Sequence, residues 1–536
     1  LFNEIKQLPE LTYLSLCFAG CHGADFDVTN KFSPEPSKLS KLKTLHIDAR
    51  NCQCLKSIEY LFDEIKQLPD LTDLILRFGR CPKIESMPAL GTPELGILRF
   101  GICPKIESMP ALGTPELGEL KHLTVEVGLA WFHTLCQFES FFKSLGALPE
   151  LEVLQLRLNS ECFRGSRKWM SGRLEFGEIP SLQRLVLDIG RDYPDNATYY
   201  GFLDSSQVCR NLFSNAWSLR SFTLKCRNDG KLSTMDGLLQ DVDDLYSLRE
   251  VELDFSGCRN LTSIAMPFSK RCNLEKISLL LEDCHSVNHF NQLFPSPIKL
   301  KEFDCSLDIS NAPFMTFMKS SFSNLLALQK LRIHWRPWGP GIEPLSFLCF
   351  SDGFATQSNL TELDLSLECD LSEENLTDLC LGLGHLSGVR RLTLRLTPSQ
   401  GIFCNKLGNS TVVAIGNSIC GGMKKIRYLN VQLSWFTKIS SLKGLAQAVE
   451  RLRYLEEFSV HVTSVVDVDS TIAEFCRVVA RGDDSLNCKL DISGVSSRRT
   501  HFSFEGTVEE LRSTVKVQAW NFLSTAFISS LCSAQW

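Results

Sequence analysis

The sequence lacks any uninterrupted apolar run approaching the ~20 residues a membrane-crossing helix needs, so no membrane insertion is expected. It also lacks a dominant charge sign. The 56 Lys and Arg are slightly outnumbered by 62 Asp and Glu, giving a formal net charge of −6. Such a chain builds no strong positive field, which argues against nucleic acid as a partner. Catalytic signatures are missing as well. There is no G-x-x-x-x-G-K-[ST] loop to cradle phosphates, no H-E-x-x-H helix and no nucleophile elbow. Gly382-Leu383-Gly384 lacks the third glycine of a dinucleotide fingerprint. The Asp241, Asp243, Asp244 cluster lacks the glycine and closing glutamate of a calcium loop. Cys52 and Cys54 have no second pair at zinc spacing. No enzyme, no cofactor and no metal is expected.

Repetition is what the sequence has instead. At 536 residues, length alone would suggest roughly three or four globular domains. A pattern L-x-x-L-x-L returns along nearly the whole chain, clearly at Leu11-Leu14-Leu16, Leu182-Leu185-Leu187 and Leu360-Leu363-Leu365. Weaker copies include Leu95-Leu98-Phe100 and Leu219-Phe222-Leu224, and a last degenerate copy is expected to end on Leu490 and Ile492. The copies number about seventeen, mostly at intervals of roughly 25 to 32 residues. The alternation at L-x-L is the period of a short strand with one buried face. A polar or cysteine position often follows, as in LDFSGCRNL (Leu253 to Leu261) and LLLEDCHSV (Leu279 to Val287). Helically spaced leucines then come, such as Leu376, Leu379, Leu383 and Leu386. One strand with one return cannot bury its own apolar face, but stacked neighbours share a continuous core.

One unit is written twice. CPKIESMPALGTPELG occupies 81–96 and recurs at 103–118, an offset of 22 residues. That interval is short for a strand plus a helix, and two prolines direct the return toward a turn or extended segment. A flatter or kinked stretch is expected over 81–118. The strand register there is open, because Leu117-Leu120 and Leu120-Leu123 both fit the template.

With these features the chain resembles the leucine-rich-repeat superfamily, over nearly its whole length. The repeat length and helical returns are similar to the ribonuclease-inhibitor-like and cysteine-containing types. The CPKIESMPALG phrase is locally similar to the C-terminal repeats of plant nucleotide-binding immune receptors. The resemblance implies an α/β leucine-rich-repeat solenoid, a horseshoe with a parallel concave sheet and helical or irregular convex returns. It implies a non-catalytic scaffold that recognises a protein partner on the concave face and adjoining loops. Two alternatives are the ligand-sensing arm of a larger nucleotide-binding receptor and the substrate adaptor of a ubiquitin ligase. A nucleotide-binding domain or an F-box-type segment encoded ahead of Leu1 would distinguish them.

The array is expected over 1–495, with an incomplete N-terminus that leaves an apolar edge exposed, and a capping segment over 496–536. Within that segment Thr507 and Glu510 have capping-box spacing, and an apolar run follows from Ala519 to Leu531. The 22 cysteines are spread along the chain, and several recur in one slot of the repeat: Cys81, Cys103, Cys258 and Cys284. Buried free thiols behave as small hydrophobes, so a reducing, intracellular setting is expected. The slot also makes Cys284, beside His285 and His289, a structural thiol rather than a metal ligand.

Candidate binding residues are the polar positions between the leucines. Those just before the second leucine alternate in sign: Glu250, Lys276, Glu302, Lys330, Glu362 and Arg391, followed by Tyr428, Glu457 and Lys489. This reads either as a partner-binding stripe or as a self-neutralising ladder on a wet sheet face. Arg332 lies beside it. The loop HWRPWGPG (His334 to Gly341) breaks the rhythm, and Trp335, Arg336 and Trp338 have the chemistry of an interface anchor.

Overall fold

In a computed structural model the chain divides into two compact units, Leu1–Ser296 and Pro297–Trp536. The first is described at residues 8–19, 39–50, 52, 65, 68, 70–77, 81, 97–102, 120–128, 143–159, 178–189, 216–230, 232–235, 245–264, 273–290 and 294. The second is described at 298–309, 318, 321–322, 324–337, 347–369, 371–398, 404–434, 436–465, 471–472, 474–475, 479, 486–494, 501–511 and 513–514.

In the first unit the strands are β1 (Tyr13–Cys17), β2 (Thr44–Asp48), β3 (Asp73–Arg77), β4 (Ile97–Ile102), β5 (His122–Gly128) and β6 (Val153–Asn159). They continue with β7 (Arg184–Asp188), β8 (Ser221–Lys225), β9 (Glu250–Asp254), β10 (Ser263–Ile264), β11 (Lys276–Leu281) and β12 (His289–Phe290). Strands β1 to β9 pair in chain order, and β11 follows β9, all in parallel. The two-residue strands β10 and β12 form a separate parallel pair. Every ladder step aligns leucine slot with leucine slot, for example Leu154 with Leu185 and Leu185 with Phe222. In β2, β3 and β5 to β9 these side chains stack into an apolar column that is essentially inaccessible to water. At β1 the inward Leu14 and Leu16 are only half-buried, whereas Leu45 and Ile47 of β2 are buried.

A tight turn precedes each strand. The N–H of Leu182 donates to Ile179, that of Leu219 to Ala216, and that of Leu248 to Leu245, at 3.1–3.2 Å. After the strand, the cysteine slot closes the corner. The thiols of Cys52, Cys81, Cys258 and Cys284 donate to the carbonyls of Phe18, Ala49, Cys226 and Phe255, one repeat earlier, at 2.9–3.0 Å. Each of these thiols satisfies a carbonyl that the strand ladder leaves over. Polar clasps do the same at the turns. Asn260 donates its amide to the Gly230 carbonyl, and Thr262 donates its hydroxyl to Ser233 at 2.9 Å.

The duplicated phrase holds a surprise of register. Sequence identity aligns Arg77 with Arg99, but in the sheet Arg77 lies opposite Gly101 and Leu76 opposite Phe100. The second copy therefore starts two residues earlier on its strand. A shift of two preserves the face on which each side chain lies; a shift of one would invert it. The open register resolves to Leu120-Leu123-Val125, all buried, with Leu123 opposite Leu98. The segments 82–96 and 103–119, where a kink is expected, lie outside the described residues.

The second unit contains β13 (Glu302–Leu307), β14 (Lys330–Trp335), α1 (Leu348–Ala355), β15 (Glu362–Glu368), α2 (Glu373–Gly384) and β16 (Arg391–Thr397). Next come β17 (Cys404–Gly408), α3 (Asn409–Gly422), β18 (Tyr428–Leu433), β19 (Phe436–Lys438) and α4 (Lys443–Arg451). The unit ends with β20 (Glu457–Val465), β21 (Asn487–Gly494) and β22 (His501–Thr507). Strands β13, β14, β15, β16, β18, β20 and β21 pair in parallel in that order, and β17 pairs with β19. Strand β22 runs antiparallel to β21.

Helical returns appear where the leucine spacing predicts them. Helix α2 starts at Ser372, whose hydroxyl accepts the Asn375 N–H at 3.1 Å, and Glu373 and Glu374 suit the positive end of its dipole. It buries Leu376, Leu379 and Leu383. Glycines let neighbouring helices touch. A Cβ on Gly382 of α2 would sit 2.9 Å from the Phe350 carbonyl oxygen of α1, and one on Gly444 of α4 would sit 2.5 Å from the Val413 Cα of α3. The clasp recurs in this unit: Asn359 donates to the Leu326 carbonyl at 2.9 Å and Thr361 to Gln329 at 3.0 Å.

Two expectations are corrected. Trp335 is fully buried. Its indole N–H donates to the Ile309 carbonyl at 3.3 Å, and its ring meets Phe347 edge-on at 6.3 Å. Phe347 in turn meets Phe350 at 5.2 Å. The alternation along β14 points Trp335 inward, so this tryptophan is core rather than surface anchor. The last repeat is also displaced. Cys488 and Leu490 lie opposite Phe458 and Val460, so the leucine slots fall two residues before Leu490 and Ile492. Asn487, not Lys489, is the register partner of Glu457. The capping box forms reciprocally: Thr507 N–H donates to Glu510 Oε2 at 2.7 Å, and Glu510 N–H to Thr507 Oγ1 at 3.3 Å. Trp338 and the run from Ala519 to Leu531 lie outside the described residues.

Candidate interaction surface

The exposed face of each sheet is built from the residues between the leucines. In the second unit its charge changes sign strand by strand. Strand β13 presents Glu302 and Asp304, β14 presents Lys330, Arg332 and His334, β15 presents Glu362 and Asp364, and β16 presents Arg391 and Arg395. The register sets Glu302 against Lys330, Lys330 against Glu362, and Glu362 against Arg391. Neighbouring strands are about 4.8 Å apart, so opposite charges meet side by side.

Most of these charges find a partner. Lys330 lies 3.1 Å from Glu302, Arg332 3.8 Å from Asp304, and Arg395 2.7 Å from Asp364. Arg336, just beyond β14, forks onto the buried Asp308, with Nε 3.2 Å from Oδ1. His334 Nε2 lies 3.3 Å from Glu368 Oε1, and that hydrogen bond, outweighing burial, holds the Glu368 carboxyl below its usual range. Arg391 departs from the ladder. Its guanidinium stacks over the Tyr428 ring, 4.2 Å from the centroid, leaving Glu362 with no ion pair among the described residues.

At β18 the alternation stops. This strand presents Tyr428, Asn430 and Gln432, all partly exposed and none charged. The buried Asn430 Oδ1 has no hydrogen-bond partner among the described residues. Beyond it charge returns in a different arrangement. Asp491 bridges two histidines, with Oδ2 3.0 Å from His461 Nδ1 and Oδ1 2.7 Å from His501 Nε2. Lys489 pairs with Glu505 on β22 at 2.7 Å, which raises its pKa.

On the first unit the register sets Glu250 of β9 opposite Lys276 of β11. The carboxylates of Asp48, Asp188 and Asp254 are buried at the ends of their strands. Burial works to raise the Asp48 pKa, but the hydrogen bonds and charge of Arg50 outweigh it and the carboxyl lies below its usual range. Asp48 Oδ1 also accepts the Arg50 N–H at 3.2 Å, and Asp254 Oδ1 the Ser256 N–H at 3.1 Å. These aspartates shape the turn after the strand. Arg157 and Arg227 both lie 3.3 Å from Asp188.

Burial pushes the thiols up, to about 12 for Cys349, to about 11 for Cys380 and well above the ordinary value for Cys258. None is an activated nucleophile. Among the described residues no group of three or more His, Cys, Asp or Glu is placed to hold a metal ion. No described helix is long and apolar enough to cross a membrane.

Sequence reasoning missed three exposed aromatics of the first unit, Tyr13 at 58% exposure, Trp217 at 64% and Tyr246 at 56%. The signal was present. Trp217 and Tyr246 occupy the turn position that holds Pro180 in the repeat before Trp217.

No family model matches the chain, and no curated protein aligns with it. Solved structures do. An internalin of Listeria monocytogenes matches with 12% identity and a TM-score of 0.29, over 84% of this chain and 88% of its own. A TLR13 crystallised with ssRNA13 matches with 14% identity and a TM-score of 0.26, over 90% and 79%. Mouse RP105, crystallised with MD-1, matches with 14% identity and a TM-score of 0.33, over 91% and 85%.

Proposed function

We propose that this chain, each unit of which has the leucine-rich-repeat fold, is a non-catalytic scaffold that recognises a protein partner on its sheet faces and adjoining loops. The observation that carries this reading is the break at β18. Over β13 to β16 the sheet face neutralises itself, and a partner docking there must displace existing ion pairs. Exposed pairs contribute only about 0–1 kcal/mol each, so they are replaceable but offer little unclaimed bonding. Strand β18 instead presents the uncharged, partly exposed Tyr428, Asn430 and Gln432, which make no ion pair that a partner would have to displace, between Arg391 and Arg395 on one side and Glu457 and His461 on the other. Amides and a phenol suit the mixed polar surface of a protein.

Glu302, Lys330, Arg332, Glu362 and Arg391, with Glu250 and Lys276 of the first unit, form the rim of this reading rather than its anchor. Arg336 belongs to the same rim. The described thiols form no disulfide with one another, and those of the cysteine slot act as hydrogen donors, which supports an intracellular, reducing setting. A cap over 496–536 is part of this proposal, supported by the antiparallel pairing of β22 with the last strand β21.

Affinity purification with mass spectrometry tests the assignment, using wild type, a Tyr428→Ala/Gln432→Ala variant and a Glu302→Lys/Lys330→Glu swap. The β18 variant is expected to lose partners that the charge swap retains. Recovery of the wild-type partner set by both variants would reject β18 as the anchor.

A further inference from the structure

The turn before each strand asks little of its second residue. That residue needs a backbone φ near −60°, which proline supplies in advance. Pro9, Pro149 and Pro180 fill it in three turns of the first unit, each closed by the same hydrogen bond across the turn. The next two described turns carry Trp217 and Tyr246 there. Neither ring is required by the turn, and both are more than half exposed. Asn273 donates its amide to the Tyr246 carbonyl at 2.8 Å and so fixes the second of these turns.

Pro180, Trp217 and Tyr246 thus follow one another along the edge where β7, β8 and β9 begin. Cations stand beside them. Arg184 opens β7, opposite Ser221 of β8, and Arg220 immediately precedes that serine. Both arginines are exposed, and neither has an ion pair among the described residues. At the other end Glu250 opens β9, exposed and without an ion pair among the described residues.

We infer that this edge is a second interaction surface, which takes an extended, proline-containing peptide segment with acidic residues at one end. Trp217 and Tyr246 stand in the turns before the neighbouring strands β8 and β9, and exposed aromatic rings are the surface against which extended proline-containing segments dock. The acidic end lies over Arg184 and Arg220 and the apolar end over Tyr246. Glu250 opposes a uniform polyanion, such as nucleic acid or an anionic bilayer. The inference does not rest on the β18 assignment, because it concerns another unit and another edge.

Fluorescence anisotropy with a labelled peptide, Glu-Glu-Pro-Leu-Pro-Leu-Pro, tests it on the full chain. The lysine analogue Lys-Lys-Pro-Leu-Pro-Leu-Pro is the comparison. The wild type is expected to prefer the acidic peptide by about tenfold or more. Trp217→Pro/Tyr246→Pro installs the residue used at Pro180 and is expected to keep the circular dichroism melt while losing the binding. Arg184→Glu/Arg220→Glu is expected to reverse the preference. Equal binding of the two peptides, no binding by wild type, or undiminished binding by the double proline variant would overturn the inference. So would Trp217-dependent flotation with phosphatidylserine vesicles, which would place a membrane on this edge.

Discussion

The two units close the same repeat in different ways. In the first, β1 to β9 and β11 run from five to seven residues, and a buried thiol reaches back to the preceding repeat. In the second, β13 to β16 run to six or seven residues, and helices α1 to α4 pack through glycines. A short return leaves carbonyls at the corner that only a small donor can reach, and cysteine provides one without adding bulk. A helical return satisfies its own backbone, so the demand moves to helix-to-helix distance. The repeats share leucine columns while the corners answer separate constraints.

The sharpest way to break the comparison is Gly444→Val. Its Cβ would lie 2.5 Å from the Val413 Cα, so α3 and α4 must separate. A loss of about 3 kcal/mol or more is expected by urea denaturation, confined to the transition of the second unit. If both units lost protection against hydrogen exchange together, their corners would not be energetically independent. Cys258→Ala probes the other corner. It removes the donor to Cys226 and leaves a small void, with an expected cost of about 1–2 kcal/mol. Cys258 should also resist iodoacetamide in the folded protein, whereas the exposed Cys17 reacts first among the described thiols.

Smaller effects test the sheet face. Lys330→Glu should cost about 0.5–1 kcal/mol at low salt, and adding Glu302→Lys should recover much of it. No recovery in a double-mutant cycle would mean the ladder is not coupled. The smallest effect concerns pH. Glu368 has a depressed pKa in the folded state, so its contribution is complete above the unfolded carboxylate value and is lost as pH falls through the folded one. A melting series in the acid range should show a shallower fall for Glu368→Gln than for wild type.

The leucine columns were legible because a two-residue period and a fixed repeat leave one consistent strand assignment. Leu123 and Leu363 are buried where the pattern places them. Trp335 was misread because Pro337 and Gly339 suggest a loop, while the strand in fact continues through Trp335 and its alternation points the ring inward. The final repeat slipped by one pleat because Cys488 stands where a leucine is expected, and a thiol fills that slot equally well. The sign alternation of Glu302, Lys330 and Glu362 was visible in the sequence. That Arg391 would leave it for Tyr428 was not, because ring stacking depends on the spacing between strands rather than along them.

The clasp formed by Asn260 and Thr262, repeated by Asn359 and Thr361, has a consequence beyond stability. Asn-Leu-Thr is also the acceptor signal for an N-linked glycan. In both triplets the amide nitrogen that would carry the sugar and the hydroxyl that completes the signal are already bonded to the preceding repeat. A glycan on either asparagine would displace that amide from the preceding repeat, so modification there would open the clasp, and a glycosylated form is expected to melt at a lower temperature than the bare chain.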